Sequence, residues 1–527
     1  MLRAVALPVV PATIVSLQAR PSALFYQTRP IQLIDGDIAG GKSELHALDL
    51  ATFNDRIVTD DLENFSISGD GAAVAFHRHG EWRIANTTSG APNLAPLNIS
   101  ALTAIVDPRQ EWAEMFENAW RLDRDVFFSK VMNGTDWKAV HDTYAKLLPF
   151  LSSPDDFVYL LGQMQGEIAS SHTFIEPEIE DDVHPSVHTG LLGVDYMLDS
   201  ASGRYRFAKV YTGDATRATM RGPLGMPGLD VKGGDYLLAV NGRELSFPDD
   251  PDKLLAGLTS EVTLTIGSGP SGPSREIKVQ PLTDDTRLRR HDWVEHNRSE
   301  VDRLSHDRLG YIFVTNFSAD GAADFVRQFY PQRDKEGLIF DVRWNGGGFT
   351  SQSVLDVLRR ELAGVFVNRE EALSTLPTAT APRVMVTITN YGSASDGDQF
   401  PFFFRKFNLG KLVGERTWGG VQGINRDWTL MDGTPFTIPK DSLASLDGHW
   451  VIENEGVAPD ITVEPPPDEA VTHRDLELEV AVRTALEQLT LRAPQILKGP
   501  PPLPAYPLQG NVPGASFTPN DRSAQNQ

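Results

Sequence analysis

The sequence predicts a multidomain α+β chain, and three patterns predict it. Short strand-length segments punctuated by turn residues fill roughly the first hundred positions and return between about 186 and 285. Between about 105 and 170 the apolar spacing changes to three and four residues, the period of a helix. From about 305 to 485, strands alternate with helices, which argues for an α/β domain with a partly parallel sheet. At ~150 residues per domain, 527 residues accommodate three or four such units. The expected divisions are 1–104 (β), 105–185 (helical), 186–285 (small β domain), 286–488 (α/β) and 489–527 (a tail).

In the first unit the strand candidates are ATIVSLQA, ALFYQTRPI, SELHALDL, VAFHRHG and EWRIANT, with turns at Ser68-Gly69-Asp70-Gly71 and Thr88-Ser89-Gly90. That is about one four-stranded propeller blade with some extra chain, a partial β-propeller-like segment whose edges must pack on something else. Helices follow. Asp107-Pro108 supplies an N-cap and a first-turn proline, and Trp112, Met115, Phe116, Ala119, Leu122 and Val126 form one apolar stripe. A second helix is expected over about 136–148. A third begins at Ser153-Pro154-Asp155-Asp156 and carries Phe157, Leu160, Leu161, Met164 and Ile168.

The small β domain opens with GLLGVDY (Gly190 to Tyr196), continues through a short helix in DDPDKLLAGL, and closes with the strand EVTLTIGS. Its centre, Gly234-Asp235-Tyr236-Leu237-Leu238-Ala239-Val240-Asn241-Gly242, resembles the G-D-x-[IL]-x-x-[VI]-N-G run of PDZ domains. That resemblance places Gly190, Leu191, Leu192 and Gly193 in the loop whose backbone N–H groups capture a peptide carboxylate. In the α/β unit the strands are LGYIFVTNF, GLIFDVRW, VMVTITN and KLVGERT, and the helices AADFVRQFYPQ and TSQSVLDVLRREL. The proline-rich stretch from Gly499 to Pro507 reads as an extended or disordered tail.

Composition removes several functions. The balance of 48 basic against 71 acidic residues, net −23, is no global footprint for nucleic acid or an anionic membrane. With no cysteine there is no disulfide, thiol nucleophile or cysteine zinc site. No apolar run reaches the ~18 residues of a membrane span. The stretch from Ala4 to Leu17 after Arg3 resembles a signal peptide, but Pro8 and Pro11 break its apolar region, so a cytoplasmic location is expected. His77 and His79 alternate on one strand without a third ligand, Pro185 separates His184 from His188, HDWVEH is not a zinc motif, and EPEIEDD lacks calcium-ligand spacing. No metal and no cofactor is expected.

Two strand ends carry unusual chemistry. LIFDVRW runs into Asn345-Gly346-Gly347-Gly348, where unobstructed N–H groups suit an oxyanion hole; neither P-loop nor GxGxxG spacing is present. The strand Val384 to Thr389 runs into Ser393-Ala394-Ser395-Asp396-Gly397-Asp398 and then a Phe-rich helix. A serine at a strand-to-helix turn is exposed, with the helix dipole behind it. In isolation the glycine run is a turn and Ser395 a helix cap.

Taken in order, NGGG, S-x-S-D-G-D, GERTWGG and ENEGVAPD resemble the tricorn protease family of serine peptidases, and EWAEMFENAWRLDRDVFF, NGTDWKAVHDTYAKLLPFL and GEIASSHTFI extend the likeness over about 45–485. The resemblance implies a peptidase acting on peptides or unfolded segments through a tetrad. By that likeness Ser395 would be the nucleophile, His172 the base, Ser171 its contact and Glu453 the carboxylate behind Ser171. It also implies an oxyanion hole of Asp396 N–H with that of Gly346 or Gly347. Self-association into a homo-oligomer is compatible with it, and it implies that the chain starts inside the last of the family's propellers. Carboxyl-terminal processing peptidases share several of these features but use a lysine where Thr417-Trp418-Gly419-Gly420 has glycine. Where the family places an acid for basic P1 side chains, this chain has Val365-Phe366-Val367, so Phe366 is expected to line an apolar P1 site. The rival reading is a non-catalytic scaffold that binds peptides through the PDZ-like domain.

Overall fold

Five strands, all parallel and adjacent in chain order, form the sheet that carries the site: Leu309–Phe313, Gly337–Asp341, Val384–Thr389, Gly410–Gly414 and Ile461–Thr462. The computed structural model describes residues 7–10, 12–29, 32–33, 36–37, 42–87, 96–99, 102–103, 105–176, 187–217, 220–370, 372–467 and 474–491. The first three strands are buried throughout and largely apolar because helices cover both faces of the sheet. Leu338, Phe340 and Met385 pack with Phe325, Phe329, Leu355, Phe400 and Phe404 of helices Ala319–Gln332, Ser351–Leu358 and Asp396–Lys406. Their strand neighbours Ile339, Val386 and Ile388 face the other way, onto Val294 and Val301 of Thr286–Ser305 and Leu478 and Ala481 of Leu476–Leu491. Parallel register sets Phe313, Asp341 and Ile388 abreast. The chain therefore leaves the second and third strands side by side at the carboxyl edge, where open sheets present ligand sites.

The helical unit matches its expected faces closely. Asp107 accepts from Arg109 N at 3.1 Å ahead of helix Pro108–Val126, and Ser153 and Asp156 form a reciprocal capping box for Pro154–Gly166. All five apolar positions expected on the third helix are buried. The middle helix is regular only over Trp137–Tyr144 and tightens into a 3₁₀ turn at Ala145–Phe150, where Pro149 lacks a donor.

The first unit has more strands than expected. Thr13–Ala19, Ala23–Arg29, Glu44–Asp49 and Asp55–Asp60 make a four-stranded antiparallel meander, and Asn64–Ile67, Ala73–Arg78 and Glu81–Asn86 make a three-stranded one. Phe25, Leu45 and Val58 of the first share a core with Phe65, Val74 and Phe76 of the second. His77 pairs with Glu63 and His79 with Asp61 at 3.2 Å, and the described residues contain no cluster fit to hold a metal. The PDZ-like unit is an antiparallel sheet of Val194–Asp199, Arg204–Val210, Tyr236–Val240, Val262–Gly267 and Ser274–Val279. Val262–Gly267 is thus not its closing strand, since Ser274–Val279 pairs beside it. The turn at 88–90, most of the acidic stretch 176–182, His184, the proline-rich stretch and nearly all of the tail lie outside the described residues, as does the start of the signal-like stretch. No helix among the described residues is long and apolar enough to cross a membrane.

Candidate active site

Ser395 adopts φ 57° and ψ −119° immediately before helix Asp396–Lys406, a strained backbone for a residue with a side chain. The two strand ends are stitched together around it. Ala394 N donates to Asn345 O at 2.9 Å, and Ser393 Oγ to Val342 O at 2.8 Å. Asn390 Oδ1 accepts from Trp344 N at 2.9 Å and from Gly392 N at 3.1 Å. The Asp396 carboxyl turns away, accepting from Ser351 N at 3.0 Å and Ser351 Oγ at 2.7 Å; burial raises its pKa. Gly347, at φ 97°, lies against the serine: a Cβ there would sit 2.5 Å from Ser395 Cβ and 2.9 Å from Asp396 N. Its N–H, however, already donates to Asn345 Oδ1 at 2.9 Å. Among the described residues the N–H groups of Gly346 and Asp396 have no protein acceptor, so of the two glycines left open by the sequence only Gly346 keeps a free donor.

His172, in the segment that follows helix Pro154–Gly166, is 8% exposed and has φ 56°. Thr437 clamps its backbone: Thr437 Oγ1 donates to His172 O at 3.0 Å, and Phe174 N donates back to Thr437 Oγ1 at 2.5 Å. Glu453 Oε2 accepts from Ser171 Oγ at 3.1 Å, and Ser171 Oγ lies 3.1 Å from His172 Nδ1. Because the serine gives its one proton to the carboxylate, it must accept from Nδ1–H. That tautomer leaves Nε2 unprotonated. Burial pushes the imidazole below its ordinary pKa, against the opposing charge of Glu453 and the backbone of Gln422.

The loop 417–422 joins the two halves. Trp418 N donates to Ser393 O at 2.9 Å, and the Trp418 ring meets His172 edge-on at 6.5 Å. Gly419 N and Gly420 N donate to Asp398 at 2.8 and 3.2 Å, while Val421 N and Gln422 N donate to Glu453 Oε2 at 2.7 and 3.0 Å. A Cβ on Gly420 would lie 2.8 Å from Ser171 Cβ. Sequence reasoning assigned no role to Thr437 or Asp398, although Asp398 closes the S-x-S-D-G-D run and stands in the first turn of a Phe-rich helix.

The expected substrate residues are more scattered. Phe366 is 62% exposed on the hairpin Gly364–Val367/Leu373–Leu376, and among the described residues no hydrogen bond or ring contact links it to Ser395 or His172. In the PDZ-like loop, Gly190 N donates to Leu255 O at 3.0 Å and Leu191 N to Leu282 O at 2.7 Å. Those two donors are therefore engaged within the domain and not free for a carboxylate. Leu192 is buried in the domain core, and Gly193 O accepts from Tyr211 N at 2.9 Å.

Three family models match the chain: the tricorn protease C1 domain over 108–166, the tricorn protease PDZ domain over 190–284, and peptidase family S41 over 308–463. A tricorn protease homolog of Streptomyces coelicolor is 34% identical over 88% of this chain and 43% of its own length. The tricorn protease of Thermoplasma acidophilum is 33% identical over 72% of this chain and 35% of its own. A crystal structure of the tricorn protease superposes with a TM-score of 0.81 at 27% identity, covering 92% of this chain and 47% of that one. The chain thus spans about half the length, or less, of these relatives. The order of the three matched domains, the identity to these relatives and the structural superposition agree, and the chain belongs to the tricorn protease family.

Proposed function

We propose that the chain is a serine endopeptidase that hydrolyses peptides or unfolded polypeptide segments through an acyl-enzyme on Ser395. The observation that carries this reading is the hydrogen-bonded series Glu453–Ser171–His172, assembled across 282 sequence positions and joined by one loop to the elbow at Ser395. Ser395 Oγ attacks the peptide carbonyl carbon while His172 Nε2 takes its proton. The developing oxyanion is met by the N–H groups of Asp396 and Gly346. The C–N bond then breaks as the imidazolium returns the proton to the leaving amine. Water, activated by the same imidazole, releases the acid and restores the serine. Ser171 holds the tautomer this exchange needs, and Glu453 stabilises the imidazolium through it.

The scaffold reading is weaker because two of the four N–H groups it relies on are already bonded inside the domain. A fluorophosphonate probe tests the proposal: it should label the full chain and fail to label S395A. Labelling of H172A at the wild-type rate would contradict the assigned base.

A further inference from the structure

We propose that Asp398 is a positioning residue of this site, whose carboxylate fixes the helix bearing Ser395 against the loop that holds His172 and Glu453. The inference rests on the reading of Ser395 and His172 above. Four consecutive backbone N–H groups, Gly419 to Gln422, are shared between two carboxylates. The first two donate to Asp398 at 2.8 and 3.2 Å, the second two to Glu453 at 2.7 and 3.0 Å. Asp398 belongs to the nucleophile's helix, and Glu453 stands behind the base. The loop between them is therefore a fixed-length spacer with an anion at each end. A carboxylate that only capped its own helix would use donors from that helix; Asp398 draws on the Ser395 backbone but also on Thr417, Gly419 and Gly420 across the gap. Neither glycine accommodates a side chain, since a Cβ on Gly419 would lie 2.5 Å from Gly456 N and one on Gly420 2.8 Å from Ser171 Cβ. The loop is thus pressed onto the base side while being tied to the nucleophile side.

The arrangement also makes the tie proton-sensitive. Asp398 is fully buried, and burial pushes its pKa up to about 6 against the four donors. The partners that face it are neutral: the Thr417 hydroxyl and the N–H groups of Gly419, Gly420 and Ser395. Of the charged and titratable groups on the elements packed here, Asp396 is turned to Ser351, Arg405 and Lys406 stand in the last turn of the helix with Arg405 donating to Ala458 O, Arg416 donates to Glu455 O, and His172 and Glu453 lie beyond the loop. A proton on Asp398 turns one acceptor oxygen into a donor facing N–H groups, so the tie loosens as pH falls through about 6. His172, whose pKa lies below its ordinary value, is protonated on the same acid side.

The test is the rate of fluorophosphonate labelling of the full chain against pH, with thermal melting as a check on folding. Wild type should lose reactivity on the acid side with the steepness of two protonations. D398N cannot present two acceptor oxygens; it should label about tenfold to a hundredfold more slowly at neutral pH, because small displacements of reacting groups cost that much. Its acid limb should fall to the steepness of one protonation. T417V keeps the carboxylate but removes a donor to it, so its limb should move to higher pH, and T417S, which keeps the hydroxyl, should restore the wild-type limb. The T417V and T417S pair decides the matter if D398N does not fold. A D398N profile that is wild-type, or merely scaled down with the same steepness, overturns the proposal, as does an unmoved limb in T417V. Labelling that persists in S395A overturns the nucleophile reading instead.

Discussion

Glu453 grips Ser171 at two points, Oε1 accepting from the backbone N–H at 2.7 Å and Oε2 from the hydroxyl at 3.1 Å. Oε2 also accepts from Val421 N and Gln422 N, so one carboxylate sets both the relay serine and the loop beside it. An amide at this position can accept through only one oxygen and would turn donors toward donors. E453Q is therefore expected to lower kcat/KM for a peptide substrate by about a hundredfold, ~2.7 kcal/mol, near the upper end of the ~1–3 kcal/mol that an unpaired buried polar group costs. S171A keeps the carboxylate and should cost less, about tenfold. Removing the Glu453 charge also removes an influence that raises the His172 pKa, so the acid limb of E453Q should lie at lower pH than that of wild type. A limb displaced upward would contradict the relay.

Gly347 provides a steric test of the elbow. Its φ of 97° is unfavourable for any residue with a Cβ, and the added carbon would sit 2.5 Å from Ser395 Cβ. G347A should abolish fluorophosphonate labelling, by about a hundredfold or more, for a stability loss of about 1–3 kcal/mol in chemical denaturation. A variant that unfolds less readily than wild type, or labels normally, would show that this glycine does not bound the nucleophile.

How far such residues are legible in the sequence depends on how local their signals are. Ser395 and His172 sit in short motifs, and the strand runs around Phe340 and Val386 are apolar because both faces are covered. Strand Asp55–Asp60 is short and charged at both ends, Asn64–Ile67 is only four residues, and Ile461–Thr462 is a two-residue pairing, so none gives a clear period. Helix Thr286–Ser305 is rich in Arg, Asp and Glu and hides a narrow apolar stripe. At the site, Thr437 holds His172 from 265 positions away, which leaves no local trace. Choosing between Gly346 and Gly347 required the direction of Asn345 Oδ1, a detail of side-chain conformation that residue spacing does not encode.

Behind the glycine run, one guanidinium faces three acids. Arg343 donates to Asp341 and Asp475, each at distances between 2.6 and 3.1 Å, and to Glu477 Oε2 at 2.8 Å. Burial, with a further rise from Asp341 and Asp475, outweighs Arg343 and lifts Glu477 from 4.5 to about 7. A raised carboxyl pKa means the folded state holds a proton that the unfolded state releases. The resulting stabilisation is complete below about pH 4.5 and is lost as pH rises through about 7. E477Q, neutral throughout, should therefore melt above wild type at pH ~8, by about 1 kcal/mol or more in stability, with the advantage shrinking toward pH ~5. A constant difference across that range would refute the assignment.

The apolar hairpin bears on what is cleaved. Phe366, Val367, Leu373 and Leu376 are all exposed along Gly364–Val367 and Leu373–Leu376, and none of them offers a carboxylate to a lysine or arginine side chain. If this hairpin closes over the substrate beside Ser395, burying an apolar P1 side chain against Phe366 gains about 1.5–3 kcal/mol, whereas a buried cation would stay unpaired. Peptide libraries should accordingly show cleavage after Leu, Phe or similar residues. F366D should weaken those sites by about tenfold and add cleavage after Lys and Arg. Dominant cleavage after Lys or Arg by the wild-type chain would overturn the apolar pocket and point to an acid such as Glu370, in the turn of the same hairpin. An F366D library identical to wild type would separate the hairpin from specificity altogether.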